Sequence, residues 1–287
     1  GEEYERIISA YQQKGYIRKV DSSKETLPEG KVWYLPHQNT SLNDQILPGP
    51  KLQNDLFDVL MRFRRYPVAV VCNIKEMYLQ IRTPPHDRTF FRFLWRNLEP
   101  KRKPDVYEFE RIVFGDASAP FRAQFVSQQN AEIHNEEFPL AAETVKKSTY
   151  MDDSLDSVKT DETAIKLYRQ LIGLWGKAGM QPRKWLSNSP AMLKVIPKEY
   201  RAAEVDLDRH CLPATKTLGL LWLASLDHFF FSASDLSSTA QITKRTMLSK
   251  VATIFDPLGF LSPFIVRAKI MLQELWPKKD FSLFCRA

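Results

Sequence analysis

Apolar residues recur at helical spacing in the first twenty positions. Tyr4, Ile7, Ile8 and Tyr11 share one face, and Gly15 is placed to stop the helix. Residues 31–35 (KVWYL) read as a strand between Gly30 and Pro36, and residues 52–63 (LQNDLFDVLMRF) return to the helical period. Residues 68–72 (VAVVC) form an unbroken, mostly β-branched run, the pattern of a strand covered on both faces. A helix is predicted over 117–133 with Pro120 in its first turn, where a missing N–H costs nothing. Around Tyr150, two short strands separated by an acidic turn predict a β-hairpin. Thr160 then caps a helix with Asp161 and Glu162 in its first turn. Ala164, Leu167, Leu171, Trp175 and Ala178 line one face of it, and Gly179 ends it. Strands follow at 183–186, 218–222 and 229–232. A helix over 243–255, a turn at 256–259 and a last helix opened by Ser262-Pro263 complete the pattern. Interleaved strands and helices of this kind predict an α+β sheet covered by helices.

Composition narrows the class. The 287 residues are enough for one large domain or two modest ones, and 44% hydrophobic with 26% charged residues argues against disorder. Lys and Arg number 41 against 34 Asp and Glu, a net charge of +7 that suits a polyanionic partner without requiring one. Cys72, Cys211 and Cys285 are far apart and lack a CxxC pair, so neither a zinc knuckle nor a disulfide framework is expected, and the setting is read as reducing and intracellular, cytoplasmic or nuclear. The most apolar C-terminal stretch, residues 260–276, is broken by Arg267, Lys269 and Glu274 and is too short for a bilayer, so no membrane partner is expected.

The candidate chemistry lies in Tyr150-Met151-Asp152-Asp153. Adjacent carboxylates at a hairpin tip repel one another. Such a turn is either simply solvated or part of a hard-cation site, because Mg²⁺ prefers oxygen ligands beside substrate phosphates. Two ions there would clamp the attacking and leaving oxygens of a phosphoryl transfer and would need a further carboxylate from another strand.

YMDD in a hairpin resembles the third motif of reverse transcriptases, and other blocks follow that order. VAVVCNIKEMYLQI (68–81) is similar to the first palm motif, FGDASAPFRAQF (114–125) to the second, and MQPRKWLSNSP (180–190) and TLGLLW (217–222) to the later palm and primer-grip motifs. GKVWYLPHQ, TSLNDQILPGP, FRFLW, KWLSNS and IFDPLGFLSPFIVRAKIMLQELW together resemble the BEL/Pao group of long-terminal-repeat retrotransposons. The resemblance implies an α+β reverse-transcriptase palm, an antiparallel sheet backed by helices, with truncated fingers. Its segments would be an N-terminal helix and fingers over 1–66, the palm over 67–232, and a thumb- or connection-like helical segment over 233–287. It implies an RNA-directed DNA polymerase that joins a primer 3′-OH to the α-phosphate of a deoxynucleotide with two Mg²⁺ or Mn²⁺ ions. The implied partners are an RNA or DNA template with primer, deoxynucleoside triphosphates and other parts of a retroelement polyprotein. No protease, RNase H or integrase motif is visible, and in this family those activities lie elsewhere in the polyprotein.

Residue by residue, the resemblance makes Asp152 the shared metal ligand and Asp153 its second or supporting carboxylate. Tyr78 falls where an aromatic gate excludes the ribose 2′-OH, and is otherwise a core aromatic. Gly115, Ser118 and Pro120 would shape the loop over the nascent base pair. Lys184 would sit near the incoming phosphates, or is simply solvated, and Gly219 and Trp222 would belong to the primer grip, with Trp222 alternatively a core residue. Two departures stand out. Asn73 occupies the position of the metal-binding Asp, a loss worth about 3–5 kcal/mol of transition-state stabilisation, or ~10²–10⁴ in rate. Neither Glu76, three residues on, nor Asp116 in its loop is expected to replace that carboxylate. The second departure is a basic fingers segment missing between His37 and Thr40, where only Gln38-Asn39 joins the blocks. The expectation is a catalytically degenerate polymerase. The alternatives are a non-catalytic nucleic-acid-binding or interaction remnant, or a fossil that never folds stably.

Overall fold

Side chains that satisfy orphan backbone groups fix where the elements begin. The computed structural model describes residues 1–21, 32–35, 41–203, 205, 212, 214–231 and 243–276. Helix α1 (Glu2–Gln13) is followed by Gly15 at φ +66, and the chain turns directly into β1 (Ile17–Lys19). The strand predicted over 31–35 is realised as β2 (Tyr34–Leu35), and its flanks Gly30, Lys31 and Pro36 lie outside the described residues. Helix α2 (Leu56–Phe63) starts four residues later than its apolar period predicts. Asp55 is the reason: it is extended, and its carboxylate accepts the Phe57 N–H at 2.8 Å as an N-cap. The β-branched run becomes β3 (Val68–Ile74), with Ala69 to Cys72 buried.

A one-turn helix α3 (Met77–Gln80) follows, then β4 (Arg92–Trp95), β5 (Asp105–Phe109), α4 (Ala119–Ile133) with Pro120 in its first turn, and α5 (Pro139–Lys147). The hairpin is β6 (Thr149–Tyr150) and β7 (Asp153–Val158), paired antiparallel with Tyr150 opposite Asp153. Helix α6 (Asp161–Lys177) matches its predicted caps: Thr160 Oγ1 accepts the Thr163 N–H at 3.3 Å, and Gly179 lies at φ +68. The chain continues through β8 (Pro182–Ser187), α7 (Pro190–Val195), β9 (Ala214–Thr217), β10 (Leu220–Leu223) and β11 (His228–Phe230), and then α8 (Lys244–Ala252) and α9 (Ser262–Leu275). The strand predicted over 218–222 needs correction. Leu218 (φ +48) and Gly219 (φ +87) form the tight turn between β9 and β10, so the apolar run begins in a turn and not in a strand.

The result is a mixed α+β chain whose sheets are largely antiparallel, with two compact units. One comprises Gly1–Asn54, Asn73–Ser154 and Lys166–Arg183, and the other Asp55–Cys72, Leu155–Ile165 and Lys184–Ala287. Each draws on the stretches assigned by resemblance to fingers and palm. The first unit holds a four-stranded sheet ordered β1-β5-β4-β2, antiparallel except for the β2–β4 pair. Its centre carries an ion cluster: Glu108 faces Arg18 on one neighbouring strand and Arg92 on the other. It accepts from Arg18 Nε at 2.7 Å and Arg92 Nη2 at 3.0 Å, and Arg92 and Glu108 are 2% and 1% exposed. Pairing satisfies charges that would otherwise be costly to bury.

The second unit holds the antiparallel meander β9-β10-β11. Trp222 is fully buried there, edge-on to Phe63, and its indole N–H donates to Asp227 at 3.0 Å. A further sheet is ordered β6-β7-β3-β8. Among the described residues no helix is long and apolar enough to cross a membrane.

The β9–β10 turn gives a direct test. A Cβ at Gly219 would lie 2.6 Å from a Phe255 ring carbon, whereas nothing lies within 4 Å of one at Gly179. Gly219→Ala is expected to destabilise the chain by about 1–3 kcal/mol, and Gly179→Ala by less, because only the first adds a clash to a left-handed backbone. Denaturant unfolding of the two variants checks the order.

Candidate functional site

The first unit brings the end of β3 against the tip of the β6–β7 hairpin. The Ile74 N–H donates to the Asp152 carbonyl at 2.8 Å, which locks the two backbones together. Beyond Ile74, the Lys75 N–H donates to the Gln181 carbonyl at 3.0 Å, and Glu76 adopts a left-handed conformation, φ +48, that turns the chain into α3. The tip is left-handed too, with Met151 at φ +56, and the Gln124 side chain on α4 donates to the Met151 carbonyl at 3.2 Å. The two strained residues are thus tied down by backbone or side-chain hydrogen bonds beside them.

This framework sets the half-buried Asn73 side chain between two carboxylates. Asn73 Nδ2 donates to Asp152 Oδ2 at 2.8 Å and to Asp153 Oδ1 at 2.9 Å. One NH₂ group has two protons to give, and each carboxylate receives one. Two divalent ions at this place would need oxygen donors facing a common gap. Here the atom between the carboxylates is a donating nitrogen. Among the described residues, no group of three or more His, Cys, Asp or Glu is placed to hold a metal ion. The residues present therefore do not fit the two-ion site that the resemblance implies.

Tyr78 stands close by. Its phenol is raised above the ordinary tyrosine value, first by burial and then by the Asp152 charge, and its ring packs on Phe114 with centroids 5.1 Å apart. Gly115 (φ +89) and Ser118 belong to a loop held from both ends. Asn43 Nδ2 donates to the Gly115 carbonyl at 2.7 Å, and Asn43 Oδ1 accepts the Ala117 N–H at 2.8 Å. A capped turn presents that amide: Ser41 and Asp44 form a capping box around the 3₁₀ segment Leu42–Asp44. Sequence reading missed Asn43. The Ser-x-x-Asp spacing of a capping box was a visible signal for the turn, but not for the loop it clamps.

The two other acidic residues are committed elsewhere. The Asp116 carboxylate accepts from the Ser118 N–H and hydroxyl at 2.8 and 2.9 Å and pairs with Arg122 at 3.4 Å, so it orders the loop. Glu76 accepts from Lys14 Nζ at 2.7 Å and Tyr16 Oη at 3.0 Å. Lys184, Gly219 and Trp222 belong to the second unit: Lys184 is exposed in β8 at φ +54, Gly219 sits in the β9–β10 turn, and Trp222 is buried in β10. The buried Trp222 ring packs edge-on to Phe63 within that unit. Residues 36–40, across the junction between His37 and Thr40, lie outside the described residues.

The Glu76 cluster makes stability depend on pH. Burial opposes the charged form of Glu76, but hydrogen bonds from Lys14 and Tyr16 outweigh it and lower the carboxyl below the usual glutamate range. A lowered carboxyl adds stability that is complete above its unfolded value and is lost as pH falls through the folded one. Glu76→Gln is expected to melt below the parent at neutral pH, by under about 1 kcal/mol for a half-exposed pair. The gap should close as pH falls through the acid range. Thermal melts across that range read both.

Residues 243–280, which include α8 and α9, match the family model described as Pao retrotransposon-like RNaseH-like domain. This is a stretch read from sequence as thumb- or connection-like, with no RNase H motif. The block over 254–276 within it is one of those that resemble the BEL/Pao group in sequence, but its helical period alone does not distinguish an RNaseH-like segment from a thumb- or connection-like one. A search of curated proteins finds no match. The family match supports a BEL/Pao retrotransposon origin for this chain.

Proposed function

We propose that the chain is a reverse-transcriptase palm from a retroelement polyprotein that keeps the outline of a template–primer site and has lost nucleotidyl transfer. One observation carries the reading: the end of β3 at Asn73 meets the Asp152-Asp153 tip, with the donating amide where the resemblance requires a third carboxylate. Positioning and charge stabilisation supply most of the rate in phosphoryl transfer. This site retains positioning elements and lacks the third negative charge that would help gather Mg²⁺ or Mn²⁺ around an incoming triphosphate.

What remains suits binding. The Tyr78–Phe114 ring pair offers an apolar surface beside the carboxylates, and the Gly115–Ser118 loop is held rigidly next to it by Asn43 and Asp116. The net charge of +7 favours an RNA or DNA template with primer. Deoxynucleoside triphosphates would meet Tyr78 and, in an active relative, two ions. Within the second unit, Lys184 and Gly219 are the proposed nucleotide and primer contacts, and other segments of the polyprotein are the proposed protein partners.

Incorporation and binding must be measured side by side. On a poly(rA)/oligo(dT) template with Mg²⁺ or Mn²⁺, the chain is expected to give no extension above background. It should nonetheless bind the template–primer with an affinity that falls steeply as salt rises, because phosphate neutralisation releases counterions. Asn73→Asp is expected to raise incorporation over the parent, by ~10²–10⁴-fold where positioning is otherwise intact. Robust synthesis by the parent chain would refute the loss of catalysis, and salt-insensitive or absent binding would refute the retained site.

A further inference from the structure

The amide at Asn73 does more than lack a charge. We infer that it is a built-in replacement for divalent cations: its two N–H groups occupy the Asp152 and Asp153 carboxylates, so the site closes without a metal ion and has no specific affinity for one. The inference deepens the proposed reading, on which it rests for the kind of ion the site would otherwise take. The geometry behind it is independent of any activity.

At least four hydrogen bonds within the chain hold the hairpin tip where it is. Ile74 N–H binds the Asp152 carbonyl, Gln124 binds the Met151 carbonyl, and the Asn73 amide bridges the carboxylates. An Asp at position 73 would have nearly the same shape but would exchange the donating NH₂ for an oxygen. That would put a third carboxylate within about 3 Å of the other two, a repulsion that protons or cations must relieve. Asn73 removes both the repulsion and the need for the cation. An entering Mg²⁺ or Mn²⁺ would have to break two hydrogen bonds and would find two carboxylates in return, a poor exchange for ions that give up water reluctantly.

The test uses the purified chain without nucleic acid or nucleotide. Mn²⁺ alone is titrated into the parent, Asp152→Asn and Asn73→Asp chains while free Mn²⁺ is followed by electron paramagnetic resonance. Each chain is also melted in EDTA and in Mn²⁺. The parent and Asp152→Asn are expected to take up Mn²⁺ equally weakly, and the parent to melt at the same temperature in both buffers. Asn73→Asp is expected to melt below the parent in EDTA and to recover in Mn²⁺ by several degrees, as a ligand held only by the folded state requires. A Mn²⁺ site in the parent that Asp152→Asn abolishes would overturn the inference, as would an Asn73→Asp chain that melts in EDTA no lower than the parent. The parent titration stands by itself if the Asn73→Asp chain does not fold. A Mn²⁺ site in the parent would leave the salt-dependent binding of template–primer intact, so the two readings fail separately.

Discussion

Two neighbouring carboxylates at the tip of a hairpin repel each other, and bringing them against a strand end makes the conflict worse. Everything distinctive about this site follows from how that conflict is settled. In the phosphoryl-transfer arrangement that the sequence resembles, divalent ions would settle it. Here a neutral amide does so, with one N–H for each of Asp152 and Asp153. The arrangement is compact and is made wholly from side chains of this chain. On the proposed reading, the consequence runs from one side-chain atom to function: a nitrogen in place of an oxygen keeps the shape of the site and costs it nucleotidyl transfer.

The surroundings are built to hold that geometry. Glu76 and Met151 both sit in the left-handed region, on either side of the Asn73–Asp152 contact. Side chains lock the neighbouring loop with hydrogen bonds of ordinary strength: Asn43 through its amide, Asp116 through its carboxylate. Such bonds add little net stability each, but they decide which conformation a polar loop adopts. These supports keep the surface around Asn73, Asp152 and Asp153 shaped.

The parts of the fold legible in sequence were those with an unbroken apolar signal. The buried run at β3, the amphipathic face and caps of α6, and the acidic hairpin all stand in the structure near their expected places. Of the sheet β1-β5-β4-β2 only β2 was legible, because the sheet's centre is polar. Glu108 lies between Arg18 and Arg92, and a strand built around ion pairs shows no alternation of apolar residues. Helix α5 and the turn at Leu218-Gly219 were missed for a related reason. Local periodicity does not say whether an apolar residue lies in a strand or in the turn that feeds it. At the site, sequence identified Asn73, Asp152 and Asp153 as neighbours and Asn73 as the departure. It gave no hint that the amide would donate to both carboxylates, since that depends on how two backbones distant in sequence meet, here through the Ile74 N–H on the Asp152 carbonyl at 2.8 Å.

The most direct test of the account is a crystal structure of the chain grown without divalent ions, at a resolution fine enough to assign the Asn73 amide from its contacts. The account predicts Asn73 Nδ2 within hydrogen-bonding distance of a carboxylate oxygen from each of Asp152 and Asp153, with the Ile74 N–H on the Asp152 carbonyl. Carboxylates splayed apart with the amide turned to solvent, or a hairpin tip that does not meet the end of β3, would contradict it.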